Sequence, residues 1–358
     1  MSDNSSIMLN GSDSPGSQLE MESALRNLSK TLVVQYLPMF YTCLPVEAIS
    51  ILLTIFGFTV ILIDAKIRSK KTFLLMATLF FGYFLVAFGS LLSIAVMLIS
   101  LHLNDHAVVS SGSCFAITQP SAFGFSLVAD TSFTMAIDRC LAIVFPVWYN
   151  KQYRGWMLHC QMLVITTHCV LVAAIVFARL PNKLLPICTS ASDASDPVQV
   201  AQMAIKSTLL GLTVLIYLIL ICYIKMKLYV VKDDAQLYSR RQRHLKSRLL
   251  STLMICILIH VATVCVGSLV GWLVMREVDP AKAMSVAKYG VITETSGPLN
   301  VIFIYARTRE LQVSLHNSFS RVARLFGVKI ATKVMPTGTH SFGTKYNGSF
   351  TTLPTIAK

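Results

Sequence analysis

The sequence predicts an all-α membrane protein: a bundle of seven transmembrane helices with an amphipathic surface helix after span seven. Hydrophobic residues make up 54% of the 358-residue chain, and charged residues only 13%, about half the charged fraction of a soluble domain. The mean hydropathy is +0.63. The hydrophobic residues lie in long segments, and the polar residues lie at the chain ends and in short stretches between those segments.

Seven segments are long enough to cross the membrane, because a helix needs about 20 mostly apolar residues to cross a hydrocarbon core of about 30 Å. The predicted spans are Phe40–Ile63, Phe73–Leu101, Cys114–Val144, Met157–Leu180, Val198–Tyr229, Leu249–Val274 and Ala283–Tyr305. The third and seventh spans are less apolar, which is expected of helices that contact other helices more than lipid. Six or eight spans is the alternative count.

The distribution of basic residues predicts the orientation. Most of the 31 Lys and Arg residues follow the first span, lie between the fifth and sixth spans, or follow the seventh span. Because cytoplasmic loops carry the excess of Lys and Arg, the N-terminus is predicted outside the cell and the protein in the plasma membrane. The net charge of +14 then indicates topology and contact with anionic lipids of the bilayer rather than nucleic-acid binding.

The chain divides into three predicted regions. Residues 1–38 form an extracellular tail with N-glycosylation sequons at Asn4, Asn10 and Asn27. Residues 39–326 form the helical bundle with its surface helix, and residues 327–358 form a disordered cytoplasmic tail. The first apolar run is too long for a signal peptide, so the first span is expected to act as a signal anchor.

The third span carries the most specific pattern. Cys114 begins it and Asp138-Arg139-Cys140 ends it, with Arg139 about 37 Å below Cys114 at 1.5 Å per helical residue. Pro146 is expected to end the helix or to begin a short loop helix. The segment resembles the rhodopsin-like (class A) G-protein-coupled receptors, whose third helix has a cysteine at its top, an Asp/Glu-Arg-Tyr at its base and a proline in the following loop.

This resemblance implies a signalling mechanism. Arg139 would pair with Asp138 at rest; an agonist would move helix six outward, and the freed arginine would contact the α subunit of a heterotrimeric G protein. Pro146 belongs to the same coupling region. The alternative is that Arg139 merely extends to the membrane interface. A disulfide between Cys114 and Cys188 is also expected, because the other seven cysteines are predicted to lie in the membrane or the cytoplasm.

Departures from the rhodopsin-like pattern narrow the choice of receptor family that the chain resembles. The second span lacks an internal aspartate, and the sixth lacks a proline within residues 254–261. The seventh span ends in Gly297-Pro298-Leu299-Asn300, with Tyr305 following, instead of Asn-Pro-x-x-Tyr. In these features the chain resembles the nematode serpentine chemoreceptors of the srsx type. Asn300 and Tyr305 are expected to form the switch of helix seven.

The region after the seventh span predicts two further features. Thr308–Phe326 has apolar residues at spacings of three and four, which is typical of an amphipathic helix on the inner leaflet. The tail that follows is rich in Ser and Thr, so phosphorylation and an arrestin-like partner are one interpretation. An unregulated disordered tail is the other.

The resemblance places an unknown extracellular ligand, a small molecule or a peptide, in the outer half of the bundle. Polar residues that could line its pocket are Glu47, Ser121, Lys206, Lys288 and Glu294. Ser121 occupies the position at which amine receptors carry an aspartate, which disfavours an amine ligand. Glu294 could face the ligand or pair with a neighbouring helix.

Other classes of membrane protein fit the sequence less well. A transporter, the main alternative, predicts internal repeats and broken helices, and the chain has no internal repeat. An enzyme would need converging catalytic side chains, but the pairs His159-Cys160 and His168-Cys169 are adjacent on a helix and should point about 100° apart. Neither a cofactor nor a metal site is expected.

Overall fold

The computed structural model describes residues 15–68, 71–152, 155–178, 184–185, 188, 197–230, 255, 258–259, 262, 295–308, 311–314 and 316. Its helices are α1 (Pro15–Ile63), α2 (Ala65–Arg68), α3 (Lys71–Asn104), α4 (Ser111–Val144), α5 (Pro146–Gln152), α6 (Gly155–Ala178), α7 (Pro197–Val230) and α8 (Ser296–Arg307). Two short strands, β1 (Val109–Ser110) and β2 (Leu184–Leu185), pair in antiparallel fashion with Val109 opposite Leu185. The protein is therefore mostly helical, as predicted.

Within the described residues, four helices are long and apolar enough to cross a membrane. They contain the segments Leu37–Ile63, Thr72–Asn104, Leu158–Ala178 and Ala204–Ile224, which correspond to the predicted first, second, fourth and fifth spans. Their large apolar side chains are often exposed, for example Leu163 at 68% and Val164 at 67%. Such exposure is typical of a surface that faces lipid.

Helix α4 corresponds to the predicted third span and lies inside the bundle. It is 34 residues long and packs against α3, α6 and α7. Its buried residues are mostly small or polar: Ser111, Cys114, Ser121, Gly124, Ser126, Leu127, Val128, Ala129, Asp130, Thr131, Ser132, Met135, Ala136 and Asp138. This composition explains its low hydropathy, since an interior helix contacts its neighbours rather than lipid.

The predicted sixth and seventh spans and the surface helix lie largely outside the described residues. Residues 255, 258, 259 and 262 of the predicted sixth span are helical. Helix α8 covers the end of the predicted seventh span. Residues 311–314 of the predicted surface helix are also helical. The chain divides after Ser314, and in the second unit, Leu315–Lys358, the structure describes only His316, which is helical and exposed.

Helix α1 begins well before the predicted first span. It runs unbroken from Pro15, past Pro38 and Pro45, to Ile63, a length of about 74 Å that exceeds a hydrocarbon core of about 30 Å. Its early part packs on the segment after α3, where the Ser29 hydroxyl accepts a 2.9 Å hydrogen bond from the Ala107 amide. Much of the region expected to be a tail is thus helical.

Helices α3 and α4 approach each other through glycine. A Cβ atom added at Gly124 of α4 would lie 2.7 Å from the Gly82 carbonyl oxygen and 2.7 Å from the Val86 amide nitrogen of α3. Small residues let two helix backbones come this close within a membrane. The close packing fixes α4 against α3, and α4 carries the Asp138-Arg139 pair at its end.

The largest buried cluster lies where α3 begins and α4 ends. Phe80, Met135, Tyr217 and Ile304 bring together α3, α4, α7 and α8. Because this cluster surrounds the C-terminal part of α4, it gives the Asp138-Arg139 pair a fixed support.

Candidate signalling site

Asp138 and Arg139 occupy the last two turns of α4. Asp138 is almost fully buried, with a side chain 1% exposed, whereas Arg139 is 16% exposed. The Arg139 Nη2 atom lies 3.9 Å from Asp138 Oδ2, so the two side chains form a loose ion pair. A buried carboxylate is costly without polar partners, and the pair with Arg139 supplies only one of them.

Tyr149 supplies a second partner for Asp138. Its hydroxyl donates a 2.9 Å hydrogen bond to Asp138 Oδ1. Burial, followed by the nearby negative charge of Asp138, raises the pKa of Tyr149 well above its usual value. The phenol therefore stays protonated and remains a hydrogen-bond donor.

Pro146 places Tyr149 at this position. Helix α4 ends at Val144, and α5 begins at Pro146, so the proline begins a short loop helix, one of the two predicted outcomes. Proline suits the first position of a helix because its missing N–H would have no intrahelical partner there. One turn later the Tyr149 amide donates to the Phe145 carbonyl at 2.9 Å, which holds the phenol beside Asp138.

Arg139 also reaches the beginning of α3. Its Nη2 atom donates a hydrogen bond to the Thr72 hydroxyl. Sequence reasoning identified Asp138, Arg139 and Pro146 but missed both Thr72 and Tyr149. A tyrosine three residues after the loop proline was a usable signal for the second; nothing near Thr72 marked the first.

A disulfide joins Cys114 at the start of α4 to Cys188, with the two Cα atoms 5.3 Å apart. This confirms the predicted pairing. The Ser93 hydroxyl of α3 donates to the Cys188 carbonyl at 3.3 Å, and the β1–β2 pair lies beside the disulfide. The segment before α7 is therefore tied to both α3 and α4.

The two residues of the expected helix-seven switch pack against α3, with Asn300 buried and Tyr305 partly buried. The Asn300 side-chain amide donates a 2.6 Å hydrogen bond to the Tyr83 hydroxyl. The Tyr305 ring stacks on Phe80, with centroids 6.3 Å apart and planes 15° apart, and it also contacts Phe56 at 6.3 Å. Their contacts link α8 to α1 and α3, while their part in switching stays a prediction.

The three described ligand-pocket candidates lie on separate helices. Glu47 is buried on α1 at 1% exposure, and Ser121 is buried on α4, where it meets Gly89 of α3. Lys206 lies on α7 and interacts electrostatically with Asp130. Lys288 and Glu294 lie outside the described residues. The described candidates thus occupy different helix interfaces, and their contact with a ligand stays a prediction.

The predicted glycosylation sites are largely outside the described part of the chain. Asn4 and Asn10 precede Pro15, the first described residue, whereas Asn27 is exposed on α1. Exposure leaves the Asn27 side chain accessible for modification, which stays a prediction.

A second polar cluster was not predicted as a site. Asp130 Oδ2 lies 2.7 Å from His168 Nδ1 and 3.7 Å from Cys169 Sγ. The expectation that adjacent His168 and Cys169 could not converge was wrong, because the longer histidine side chain and the short cysteine side chain both reach the same carboxylate on α4.

Comparison with known proteins identifies the family. A family model described as "Serpentine type 7TM GPCR chemoreceptor Srsx" matches residues 48–319, more than half of the chain. No curated protein matches it. The match begins within α1 and extends past α8. The chain belongs to the Srsx family of serpentine seven-transmembrane G-protein-coupled chemoreceptors, and is a multi-pass membrane protein.

Proposed function

We propose that this receptor activates a heterotrimeric G protein through Arg139 when an extracellular small molecule or peptide binds. The observation that carries the proposal is the network at the end of α4. Asp138 contacts Arg139 and Tyr149, and Arg139 contacts Thr72. In a member of a receptor family, these contacts have the arrangement expected of a resting state in which the arginine is held.

The free energy needed to release Arg139 from this network is small enough for a ligand-driven switch. Releasing Arg139 breaks one hydrogen bond to a neutral hydroxyl and one loose ion pair. A hydrogen bond to a charged group contributes about 1.5–3 kcal/mol and a loose ion pair about 1 kcal/mol or less, so release costs a few kcal/mol. A ligand shifts a conformational equilibrium by its difference in affinity for the two states, and this cost lies within the reach of a ligand of moderate affinity.

The orientation of the receptor is part of the proposal. We place the N-terminus outside the cell, the receptor in the plasma membrane, and the ligand near the Cys114 end of the bundle, because most basic residues flank the other ends of the spans. The disulfide supports this arrangement, since disulfides persist on the oxidising side. Glycosidase treatment tests it: wild-type receptor should lose mass, and Asn27→Gln should lose one glycan. A receptor unaffected by the glycosidase would contradict the orientation.

Coupling through Arg139 is tested in cells that express a panel of Gα subunits. Surface receptor is quantified and basal Gα activation is measured for the wild type and for Arg139→Ala. We expect the substitution to abolish activation while surface expression is largely retained. The matched control is Arg26→Ala, which removes an exposed arginine paired only locally with Glu22 at 2.6 Å. Unchanged activation in Arg139→Ala would contradict the mechanism.

A further inference from the structure

Asp130 lies in α4 about two turns before Asp138 and on a different contact surface. It is 8% exposed, and its carboxylate contacts α6 rather than α3. His168 Nδ1 and Cys169 Sγ of α6 approach the same oxygen, Oδ2, at 2.7 and 3.7 Å. One ligand atom from each of the three side chains lies within 4.8 Å of the other two.

The cluster lies within membrane-spanning helices, where ionisable groups are costly and mark function by default. Apolar residues at these three positions would pack the two helices together at least as well. Carboxylate oxygen, imidazole nitrogen and thiolate sulfur are together the donor set that binds zinc. These three side chains on two facing helices therefore indicate a ligand site in addition to a packing contact.

We propose that Asp130, His168 and Cys169 bind a divalent zinc-class cation that joins α4 to α6. At metal–ligand distances of about 2.0 Å for oxygen and nitrogen and about 2.3 Å for sulfur, a tetrahedral zinc ion places an oxygen about 3.3 Å from a nitrogen and about 3.5 Å from a sulfur. Asp130 Oδ2 lies 3.7 Å from Cys169 Sγ, which is close to the tetrahedral spacing, and 2.7 Å from His168 Nδ1, a separation that must widen to admit the ion. Small side-chain rotations suffice to admit the ion, and the fourth position stays open to water.

The charges of the site balance on binding. Cys169 releases its proton to the solvent and binds as the thiolate, because only the deprotonated form is a ligand. Neutral His168 binds through Nδ1, so the carboxylate and the thiolate together cancel the two positive charges of the ion. Lys206 of α7, which interacts electrostatically with Asp130 and Cys169, balances the carboxylate when no metal is bound. This proposal differs from the expectation of no metal site and does not depend on G-protein coupling.

The chain contains its own control for this site. His159-Cys160, nine residues earlier on α6, repeats the same dipeptide, but both residues are exposed. If zinc bound only to an exposed His-Cys dipeptide, binding should be lost in His159→Gln/Cys160→Ser. Binding at the proposed site should instead depend on Asp130, His168 and Cys169.

The experiment uses full-length receptor in detergent, stripped by a chelator and titrated with Zn²⁺ or Co²⁺. In the wild type and in the His159→Gln/Cys160→Ser control, zinc should raise the unfolding temperature, and cobalt should give a thiolate charge-transfer absorption. Cys169→Ser should lose this absorption, and Asp130→Asn and His168→Gln should each weaken zinc binding by about tenfold or more.

Two outcomes would overturn the proposal. One is a wild-type receptor without the thiolate absorption. The other is an absorption that persists in Cys169→Ser and disappears in the control. Should Cys169→Ser not fold, alkylation of wild-type receptor decides instead: zinc should protect Cys169 and leave Cys160 reactive. Equal alkylation of both cysteines with and without zinc would contradict the site.

Discussion

The Tyr149 hydroxyl donates a 2.9 Å hydrogen bond to the Asp138 carboxylate, so the loop helix α5 holds the acidic partner of Arg139. Asp138 is buried, and Tyr149 is a donor at all ordinary pH values because burial and the Asp138 charge raise its pKa. The pair links the end of α4 to the loop that follows Pro146. We therefore expect a change in this loop to reach Arg139 through Tyr149 and Asp138.

Tyr149→Phe should raise basal signalling. The substitution keeps the ring and removes the donor to Asp138, and a hydrogen bond to a charged group contributes about 1.5–3 kcal/mol. If the bond exists only at rest, its loss should raise basal Gα activation about tenfold or more, since 1.4 kcal/mol corresponds to a factor of ten. Tyr41→Phe, on an exposed residue of α1, is the control. Basal activity equal to that of the wild type would show that the bond does not restrain Arg139.

Cys114→Ser and Cys188→Ser should impair surface delivery equally. Each breaks the same disulfide, whose removal costs about 2–4 kcal/mol, and losses of this size change protein abundance several-fold. The double substitution should be no worse than either single one, because the two residues act as a unit. Flow cytometry measures the surface receptor, with the exposed free cysteine Cys222 replaced as control. Additive defects would mean that each cysteine contributes separately.

Gly124→Ala should destabilise the receptor by about 1–3 kcal/mol through overpacking. The new methyl group would meet the Gly82 carbonyl and the Val86 amide at 2.7 Å, and backbone atoms cannot move aside cheaply. Gly211→Ala on α7 is a matched control, because nothing lies within 4 Å of its added Cβ. The unfolding temperature in detergent should fall for the first variant only. An equal effect of both would remove the argument for close packing.

Asn300 and Tyr83 should be energetically coupled. The Asn300 amide donates to the Tyr83 hydroxyl at 2.6 Å, and such bonds between membrane helices contribute about 0.6–1.7 kcal/mol in double-mutant cycles. The cycle compares Asn300→Ala, Tyr83→Phe and the double variant by unfolding temperature. A coupling energy near zero would indicate that the contact does not connect α8 to α3.

The described spans could be predicted because lipid contact imposes a simple rule on composition. Long apolar segments gave the first, second, fourth and fifth spans within a few residues at most ends. The exception is the beginning of α1, which continues back to Pro15. That part is stabilised by tertiary contacts such as Ser29 with Ala107, which hydropathy along the chain does not record.

The parts of the signalling site that could be predicted are those marked by sequence spacing or by resemblance to a family. Cys114, Cys188 and Pro146 have the predicted pairing and helix boundary. Thr72 and Tyr149 were missed because each contacts a residue of a different helix. The positions of these helices relative to each other are set by packing of the bundle, which the sequence alone does not give. The Asp130 cluster was missed for the same reason: the direction of two adjacent side chains was judged from an isolated helix, without the facing carboxylate on α4.

The most direct test of coupling through Arg139 combines two substitutions. Asp138→Asn removes the buried negative charge that holds Arg139 and should raise basal Gα activation above the wild-type level at equal surface expression. Asp138→Asn/Arg139→Ala should return activation to the background of cells without the receptor. Activation retained by the double variant, or no increase in Asp138→Asn, would contradict the account.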